Sequence, residues 1–372
     1  MGENQKLLNK ALEQTDSWLA EDFKESNRIL EILTKISNGE GVVLGGEIQP
    51  IDGKILIATG GTSGKPKFAI HTWDTLSAAA RSLMERIGEN IQSCGILPLH
   101  HVSGFMPVVR AIISGGKYIQ GDPRKLIENP NNKCLSLVPT QLSRFLQNPT
   151  SIEKLQRFRM IFVGGAKIEE ALLDEAQKLK LPIAPSYGMT ETAAMVTLLH
   201  PDEFRQGQRG CGKPLPGVEI SFKNDRQILI TANSLQEGYV GKASMTSRLL
   251  ETKDAGYFDE LGSLHITGRL DRVIISGGEN VDPAEVENEL KKLQYVEEAL
   301  VVGVPDPEWG QKVVAFVVGE ANEPENIKLT LRENLPNYKI PKAILVREEL
   351  PLDDRGKVDW SLIKTLNPTF PA

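Results

Sequence analysis

Between Lys54 and Gly188, short runs of Val, Ile and Leu alternate with segments of helical period, and this alternation restricts the fold more than any other feature. "KILIATG", "CGILPL", "GGKYIQ", "CLSLVP", "MIFVGG" and "PIAPSYG" have the length and content of buried strands. "HTWDTLSAAARSLMERIG" and "KIEEALLDEAQKL" instead repeat apolar residues at helical spacing. Strands separated by helices become neighbours through crossovers, so the pattern predicts a mostly parallel sheet covered by helices, an α/β fold. Past about Pro214 the rhythm changes to "GVEISF", "QILITA" and "GYFDELGSLHIT", which predicts a β-rich, antiparallel subdomain. After "TGRLDRVIISGGENVDPAEVENELKKL" a second alternation begins, and its roughly 100 residues suffice for a separate domain. The expected division is a large N-terminal α/β domain over 1–268 and a small, mobile α+β domain over 269–372, with the boundary near Arg269 to Asp271.

With 372 residues, 40% of them apolar, the chain can bury a sizeable core. Its 43 Lys plus Arg against 49 Asp plus Glu, a net charge of -6, give no basic footprint for nucleic acid or an anionic membrane. Cys94, Cys134 and Cys211 are odd in number and show no Cys-x-x-Cys spacing, which argues against a disulfide frame or a zinc site and suits a reducing compartment. "MGENQKLLNKALEQTDSWLAEDF" lacks the apolar centre of a signal peptide, and no run reaches the ~18 apolar residues of a membrane span. A cytoplasmic location is expected.

Chemistry is concentrated in "IATGGTSGKPKFAIH", Ile57 to His71. Backbone at Gly60, Gly61 and Gly64 can turn its N–H groups towards an anion, because no Cβ blocks the approach. Thr59, Thr62 and Ser63 add hydroxyl donors, and Lys65 and Lys67 add charge. A surface loop without a ligand remains the alternative for a glycine-rich stretch alone. The stretch is not a P-loop, since Lys65 is followed by Pro66, and it is not a dinucleotide Gly-x-Gly-x-x-Gly.

This loop resembles the phosphate-binding motif of the adenylate-forming superfamily, which holds acyl-CoA and aryl-CoA synthetases, luciferases and the adenylation domains of peptide synthetases. Four further segments occur in the superfamily's order. "PLHHVSG" (Pro98 to Gly104) is similar to its Pro-Leu-x-His segment and "SYGMTET" (Ser186 to Thr192) to its Tyr-Gly-x-Thr-Glu motif. "GRLDRVIISGGENVDPAEVE" (Gly268 to Glu287) resembles its hinge and the loop that follows, and "LPLDDRGKVD" (Leu350 to Asp359) the segment with its catalytic lysine. The resemblance spans roughly Ile55 to Leu362. It implies a two-step ligation with ATP, Mg²⁺ and CoA: a carboxylate attacks the α-phosphate of ATP, and a thiol then displaces AMP. The first step brings two anions together, so the site has to neutralise charge and fix geometry.

The resemblance also implies roles. Thr59, Gly60, Gly61, Thr62, Ser63, Gly64, Lys65 and Lys67 hold the β- and γ-phosphates. Thr190 donates to the α-phosphate, and Glu191 is the Mg²⁺ ligand, a hard cation that needs few protein carboxylates when phosphate oxygens complete its shell. Taken alone, Glu191 would read as a carboxylate at a helix start. Ser186, Tyr187, Gly188 and Met189 border the nucleotide, with Tyr187 stacked on adenine, and the backbone of Gly164, Gly165 and Ala166 lines the base pocket. Asp254 takes the ribose hydroxyls, although the usual Thr-Gly-Asp is here Thr252-Lys253-Asp254. Arg269 contacts ribose or phosphate, and Asp271 is the hinge about which the small domain turns. Lys357 is the catalytic lysine of adenylation. In the second pose Gly277 and Gly278 let a pantetheine chain pass, and His101 gates that channel or caps the acyl pocket.

Within the superfamily, the loop with its trailing "FAIHTW", together with "GCGKPLPGVEI", is most similar to the cyanobacterial branch that joins 2-succinylbenzoate to CoA on the route to menaquinone and phylloquinone. That acid carries an aromatic and a succinyl carboxylate, which implies an apolar pocket with a cationic or hydroxyl end. His71, Arg110, Lys167 and Ser186 are the unranked candidates. Superfamily members usually carry a longer region before the loop, so a reduced acyl-pocket wall or dimer surface is expected. A CoA ligase for another aromatic or short acid, an adenylating domain that loads a carrier protein, and a non-catalytic adenylate-binding relative stay open as alternatives, and a homodimer is implied by the superfamily alone.

Overall fold

A hydroxyl at 72 followed by apolar residues at three- and four-residue spacing is enough to start a helix and dry one of its faces. The computed structural model describes residues 2–19, 25–59, 67–122, 124–224, 226–243, 247–320, 324–352, 359, 362, 363 and 365. In it the Thr72 side chain accepts from the Thr75 amide at 3.2 Å while the Thr75 hydroxyl accepts from the Thr72 amide at 3.0 Å, a reciprocal cap. Trp73, Leu76, Ala80, Leu83 and Ile87 are buried along the helix, and Gly88, at φ +94°, ends it.

The chain divides into two compact units, residues 1–252 with 257–266, and residues 253–256 with 267–372. The first opens with α1 (Glu3–Glu13), α2 (Thr15–Trp18) and α3 (Ser26–Ser37). A three-stranded sheet follows, in which β1 (Val42–Leu44) runs parallel to β2 (Ile55–Thr59) and β2 antiparallel to β3 (Lys67–His71). Next come the capped helix α4 (Trp73–Ile87), β4 (Ser93–Gly95), α5 (Val102–Ser114), β5 (Tyr118–Gln120), β6 (Cys134–Leu137), α6 (Pro139–Leu146), α7 (Pro149–Gln156), β7 (Met160–Val163), α8 (Glu170–Lys178), β8 (Ile183–Met189), β9 (Ala194–Leu198), α9 (Pro201–Arg205) and β10 (Lys213–Pro214).

Strands β4 to β10 form one sheet in the order β10-β9-β8-β7-β6-β4-β5. From β5 to β8 all pairings are parallel, and β9 and β10 are antiparallel additions. Side chains alternate between its two faces, as the two-residue period of a strand requires. Leu135, Leu137, Ile161, Val163 and Ile183 pack with Leu142, Phe145, Leu155 and Leu173 of α6 to α8. Cys134, Met160, Phe162 and Ala184 face the other way and pack with Leu83 and Ile87 of α4. The β-rich part is a four-stranded sheet of β11 (Val218–Lys223), β12 (Gln227–Ala232), β13 (Leu249–Phe258) and β14 (Leu264–Arg269), with β11 and β12 antiparallel.

The second unit carries β15 (Ile274–Ser276), β16 (Glu279–Val281), α10 (Pro283–Lys291), β17 (Val296–Asp306), β18 (Gly310–Gly319), α11 (Pro324–Asn334) and β19 (Ala343–Arg347). Its sheet order is β16-β15-β18-β17, with β19 parallel beside β18. Val286, Leu290, Ile327 and Leu331 of its two helices pack on Val301, Val313 and Ala315.

One segment differs from expectation. "CGILPL" is a strand only to Gly95, and the residues after it turn into α5, which the alternation did not predict. Residues 104–114 of α5 are all buried, so no polar face marks its period, and Pro107 inside it disguises it further. A Cβ on Gly104 would lie 2.0 Å from the Pro98 carbonyl oxygen, so only glycine lets the helix start this close to the turn. Among the described residues no helix is long and apolar enough to cross a membrane.

Candidate active site

The glycine-rich motif is the connection of an antiparallel pair. Thr59, the buried last residue of β2, stands opposite Lys67, the exposed first residue of β3, so the chain leaves and re-enters the sheet at one place. Gly60, Gly61, Thr62, Ser63, Gly64 and Lys65 lie outside the described residues, as does Lys357. The outer edge of β3 hydrogen-bonds to a second segment: the Ile70 amide donates to the Gly238 carbonyl at 2.9 Å, the Glu237 amide to the Ile70 carbonyl at 2.8 Å, and the Val240 amide to the Phe68 carbonyl at 3.0 Å.

That segment meets "SYGMTET". The Gln236 amide donates to the Glu191 carbonyl at 2.9 Å, and the Tyr239 hydroxyl donates to Glu191 Oε1 at 2.6 Å. Oε2 of Glu191 and the Thr190 hydroxyl take no hydrogen bond among the described residues. His71, at the end of β3, places Nε2 2.8 Å from the Thr190 carbonyl and Nδ1 3.0 Å from the Thr75 hydroxyl. A carbonyl only accepts, so Nε2 carries the proton. Burial pushes the imidazole down to about 4, against the raising effects of the Thr190 carbonyl and Glu237, so it is neutral at physiological pH.

Gly188 is required by its surroundings, since a Cβ there would lie 2.0 Å from the Ala194 carbonyl oxygen, beside the irregularity at Tyr187 and Gly188 where β8 shifts register against β9. The turn it feeds is a single 3₁₀ turn, Thr190–Thr192. Thr192 Oγ1 lies 3.0 Å from both the Met189 amide and the Met189 carbonyl. Ala193 and Ala194 follow at φ +53° and +75°, a left-handed conformation that side chains seldom adopt. Two neighbouring residues held in this way aim Thr190 and Glu191.

"VGGA" ends β7 and forms the turn towards α8. Gly164 abuts Ser186, whose carbonyl oxygen and Oγ would each lie 2.9 Å from a Cβ at 164, and Gly165 has φ +83°. Ala166 continues this turn, exposed. Tyr187 is partly buried against the core beneath the β11–β14 sheet. His101 stands at the N-cap position of α5 without a side-chain cap, its ring centroid 4.2 Å from that of His100.

In the second unit Asp254, Arg269 and Asp271 come together. Arg269 reaches Asp254 Oδ1 at 3.2 Å and holds both oxygens of Asp271 at 2.9 Å. Lys253, the residue that replaces the superfamily's glycine, lies within β13 and reaches Asp271 Oδ2 at 3.2 Å. The backbone there is ordinary strand, without the positive φ that favours glycine. Burial alone would raise the Asp271 carboxyl, but Arg269 and then Lys253 hold it below the usual carboxylate range. Gly277 and Gly278, at φ +60° and +84°, are the two central residues of the β15–β16 hairpin, the left-handed pair that a tight hairpin favours. A Cβ on Gly277 would touch the Trp309 ring at 3.0 Å, and Lys342 Nζ lies 3.9 Å from the centre of that ring. The Asp359 amide donates to the Pro351 carbonyl at 2.9 Å, beside the segment that contains Lys357.

The four acid-pocket candidates separate by environment. His71 is buried and neutral, Lys167 is exposed, the Ser186 hydroxyl lies 3.4 Å from the Val163 carbonyl, and Arg110 is a buried cation on α5. Sequence reasoning missed Tyr239 and Gln236. Their only signal is a polar pair amid "LQEGYV", and their partner Glu191 lies more than forty residues away, at a separation of 48 for Tyr239.

No group of three or more His, Cys, Asp or Glu able to hold a metal ion occurs among the described residues. A single carboxylate, fixed through one oxygen and with the other unclaimed, suits a Mg²⁺ that arrives with phosphate oxygens of its own. Together, the site offers hydroxyl and carboxylate groups aimed by a strained turn beside the stem of a glycine-rich connection.

Comparison with known proteins agrees. The profile described as "AMP-binding enzyme" matches residues 8–240, and "AMP-binding enzyme C-terminal domain" matches 285–357. The chain is 33% identical over 320 residues to the 2-succinylbenzoate–CoA ligase of Listeria monocytogenes serotype 4b, covering 82% of this chain and 68% of that protein. It is 31% identical over 357 residues to that of Lactococcus lactis, covering 92% and 77%. Among solved structures, o-succinylbenzoate CoA synthetase from Bacillus subtilis in complex with its acyl-adenylate intermediate superposes with a TM-score of 0.72 at 26% identity, covering 97% of this chain and 81% of that one. The same enzyme with ATP and magnesium ion gives 0.70 at 28%, covering 96% and 81%.

Proposed function

This chain belongs to the AMP-binding enzyme family, and on that footing we propose that it is an acid–thiol ligase that joins 2-succinylbenzoate to CoA through an acyl-adenylate, on the route to menaquinone and phylloquinone. The observation that carries the proposal is the cluster in which Tyr239 and Gln236 fix Glu191 beside Thr190 and the Thr59–Lys67 stem. The names of the Listeria and Lactococcus relatives support the choice of acid.

In the first half-reaction a carboxylate oxygen bonds to the α-phosphorus of ATP and the bond to pyrophosphate breaks. The residues of 59–67 bind the β- and γ-phosphates. Thr190, its hydroxyl uncommitted and its carbonyl tied to His71, donates to the α-phosphate, and Glu191 presents Oε2 to Mg²⁺, which when bound neutralises phosphate charge. Tyr187 and the backbone of 164–166 seat the base, Asp254 and Arg269 the ribose. Lys357 screens the charge between carboxylate and α-phosphate. In the second, the CoA sulfur bonds to the acyl carbon, AMP leaves, and the thiol proton passes to solvent; Gly277 and Gly278 give the pantetheine its passage and His101 guards the approach. Residues 1–268 bind ATP and acid, 269–372 bring Lys357, and Asp271 is the pivot. A cytoplasmic setting, supported by three unpaired thiols, and a homodimer complete the proposal.

The test is to mix protein, ATP, Mg²⁺ and 2-succinylbenzoate with and without CoA, and to follow pyrophosphate and thioester by mass spectrometry. Thioester that requires CoA, abolished in Lys357→Ala, is the expected result. Turnover of other acids but not this one would discard the substrate, and no turnover with any acid would discard the enzyme.

A further inference from the structure

The chain enters the sheet of the second unit through residues 272–277, and this strap is tied down along its length. At its start Arg272 Nη2 donates to Glu287 Oε1 on α10 at 2.6 Å and to the Val301 carbonyl on β17 at 3.1 Å, while the Val301 amide donates to the same glutamate oxygen at 2.9 Å. β17 is the last strand of its sheet, so among the described residues the N–H and C=O groups on its outer edge have no strand partner. The ion pair takes both of them at Val301. In the middle of the strap Ile274 is buried, in one core with Val301 and Val313. A Cβ on Gly303 would lie 2.9 Å from Ile274 Cγ2, and Gly303 has no positive φ, so glycine stands there to make room for the strap. At its end the Ile275 amide donates to Gln311 Oε1 at 2.9 Å, Ser276 pairs with Gly310, and the Gly277 amide donates to the Trp309 carbonyl at 2.9 Å.

Asp271 is therefore where the restraints change hands. Arg269 on β14 and Lys253 on β13 grip its carboxylate, and Arg272 ties the very next residue to α10 and β17. A hinge works when a few residues absorb the change in φ and ψ while the chain on each side stays fixed. Every residue released from the strap adds two soft dihedrals. A turn at 271 would then be taken up in them before it reached Gly277 and Gly278.

We propose that Arg272 is a positioning residue of the thiol step: it fastens the strap to α10 and β17, so that a turn at Asp271 carries the Gly277–Gly278 hairpin, assigned above to the pantetheine passage, as one rigid lever. This rests on the ligase reading and on Asp271 as its pivot. A guanidinium suits the task, because one planar nitrogen offers two N–H groups and reaches the carboxylate and the strand carbonyl together. Adenylation places no demand on the hairpin, so the two half-reactions respond differently to the loss of Arg272.

The test compares the full-length protein with Arg272→Ala, Arg272→Lys and Glu287→Gln. Pyrophosphate release with ATP, Mg²⁺ and 2-succinylbenzoate reads the first half-reaction, and thioester formed from preformed adenylate on addition of CoA reads the second. Arg272→Ala is expected to stay within about twofold in the first and to lose on the order of tenfold in the second, with a higher half-saturating CoA concentration. Arg272→Lys recovers part of the loss, and Glu287→Gln reproduces part of it. Hydrogen exchange read by mass spectrometry is independent of turnover: peptides covering 272–278 are expected to exchange about tenfold faster in Arg272→Ala, with 312–319 as protected as before. Equal losses in both half-reactions, with faster exchange throughout the small domain, would make Arg272 merely structural and overturn the inference while leaving the ligase reading intact. An unchanged thiol step, or unchanged exchange at 272–278, would do the same. Failure of the unmodified protein to adenylate any acid would overturn the ligase reading and the thiol-step role with it.

Discussion

Tyr239 donates its phenolic hydrogen to Glu191 Oε1 at 2.6 Å, joining residues 48 apart in the chain. A hydrogen bond to a carboxylate is roughly twice as strong as one between neutral groups, and it fixes which oxygen stays available. Tyr239→Phe keeps the ring and removes the donor. The Mg²⁺ concentration for half-maximal adenylation is expected to rise several-fold and kcat/KM to fall about tenfold, with little change in melting temperature. A Mg²⁺ titration of pyrophosphate release checks this, and an unchanged profile would mean that the phenol does not orient Glu191.

His71 gives the fold a pH dependence of known sign. Its imidazole is depressed to about 4 from an ordinary value near 6.5. Above that ordinary value both folded and unfolded states are neutral and nothing is lost. Between about 6.5 and 4 the unfolded chain takes up a proton that the folded one refuses, so stability falls as pH falls, by up to about 3 kcal/mol. His71→Gln can keep a donor to the Thr190 carbonyl without titrating. Denaturant unfolding from pH 7 to pH 4 should therefore show a shallower decline in the variant, and parallel curves would place the acid sensitivity elsewhere.

Gly188→Ala sets a Cβ 2.0 Å from the Ala194 carbonyl, a contact that only backbone movement relieves. The expected cost is about 2–4 kcal/mol of stability, at the large end for one methyl group. The movement also reaches Thr190 and Glu191 through the strained turn, so kcat/KM at permissive temperature is expected to drop by about a hundredfold, as misplacement of reacting groups does. An active, stable variant would show that the turn has slack.

All three thiols are expected to be unreactive in the folded state, Cys94 and Cys134 because they are buried and Cys211, which is partly exposed, because its thiol is pushed up. Burial pushes Cys94 and Cys211 up to about 12 and Cys134 to about 11, so thiolate is scarce at pH 8. An aromatic disulfide reagent is expected to label none of them in native protein and all three after guanidinium is added. Rapid labelling of native protein would reveal local opening around the central strands.

The parallel sheet was legible because its strands are short, largely buried runs that alternate with segments of helical period. α5 was not, because burial on every side erases the contrast by which a helical period is recognised. Gly188 could be read as part of a motif, but the steric reason for it, the Ala194 carbonyl, belongs to a turn with two left-handed alanines that no composition announces. Arg110 stood in the sequence as one of four candidates, and burial with no counter-charge is a property of packing, so the four could not be ranked beforehand. Tyr239 illustrates the same limit at longer range: its partner is set by the strand edge of β3, which draws 237–240 alongside. The motifs at 60–65 and at Lys357 were legible by resemblance, and their geometry lies outside the described residues.

Lys253 occupies a position where the superfamily carries glycine, and its side chain, 63% exposed, reaches the same carboxylate that Arg269 holds with two parallel bonds. The two cations answer ionic strength differently. Counter-ions weaken an exposed single contact within a Debye length of about 8 Å, whereas a bidentate guanidinium grip also relies on directed hydrogen bonds that they displace less readily. Asp271 is therefore held by one grip that salt loosens and one that it largely spares. If the pivot lies there, the ease of turning is graded by the salt around it, a dependence that glycine at 253, with no charge to screen, could not confer.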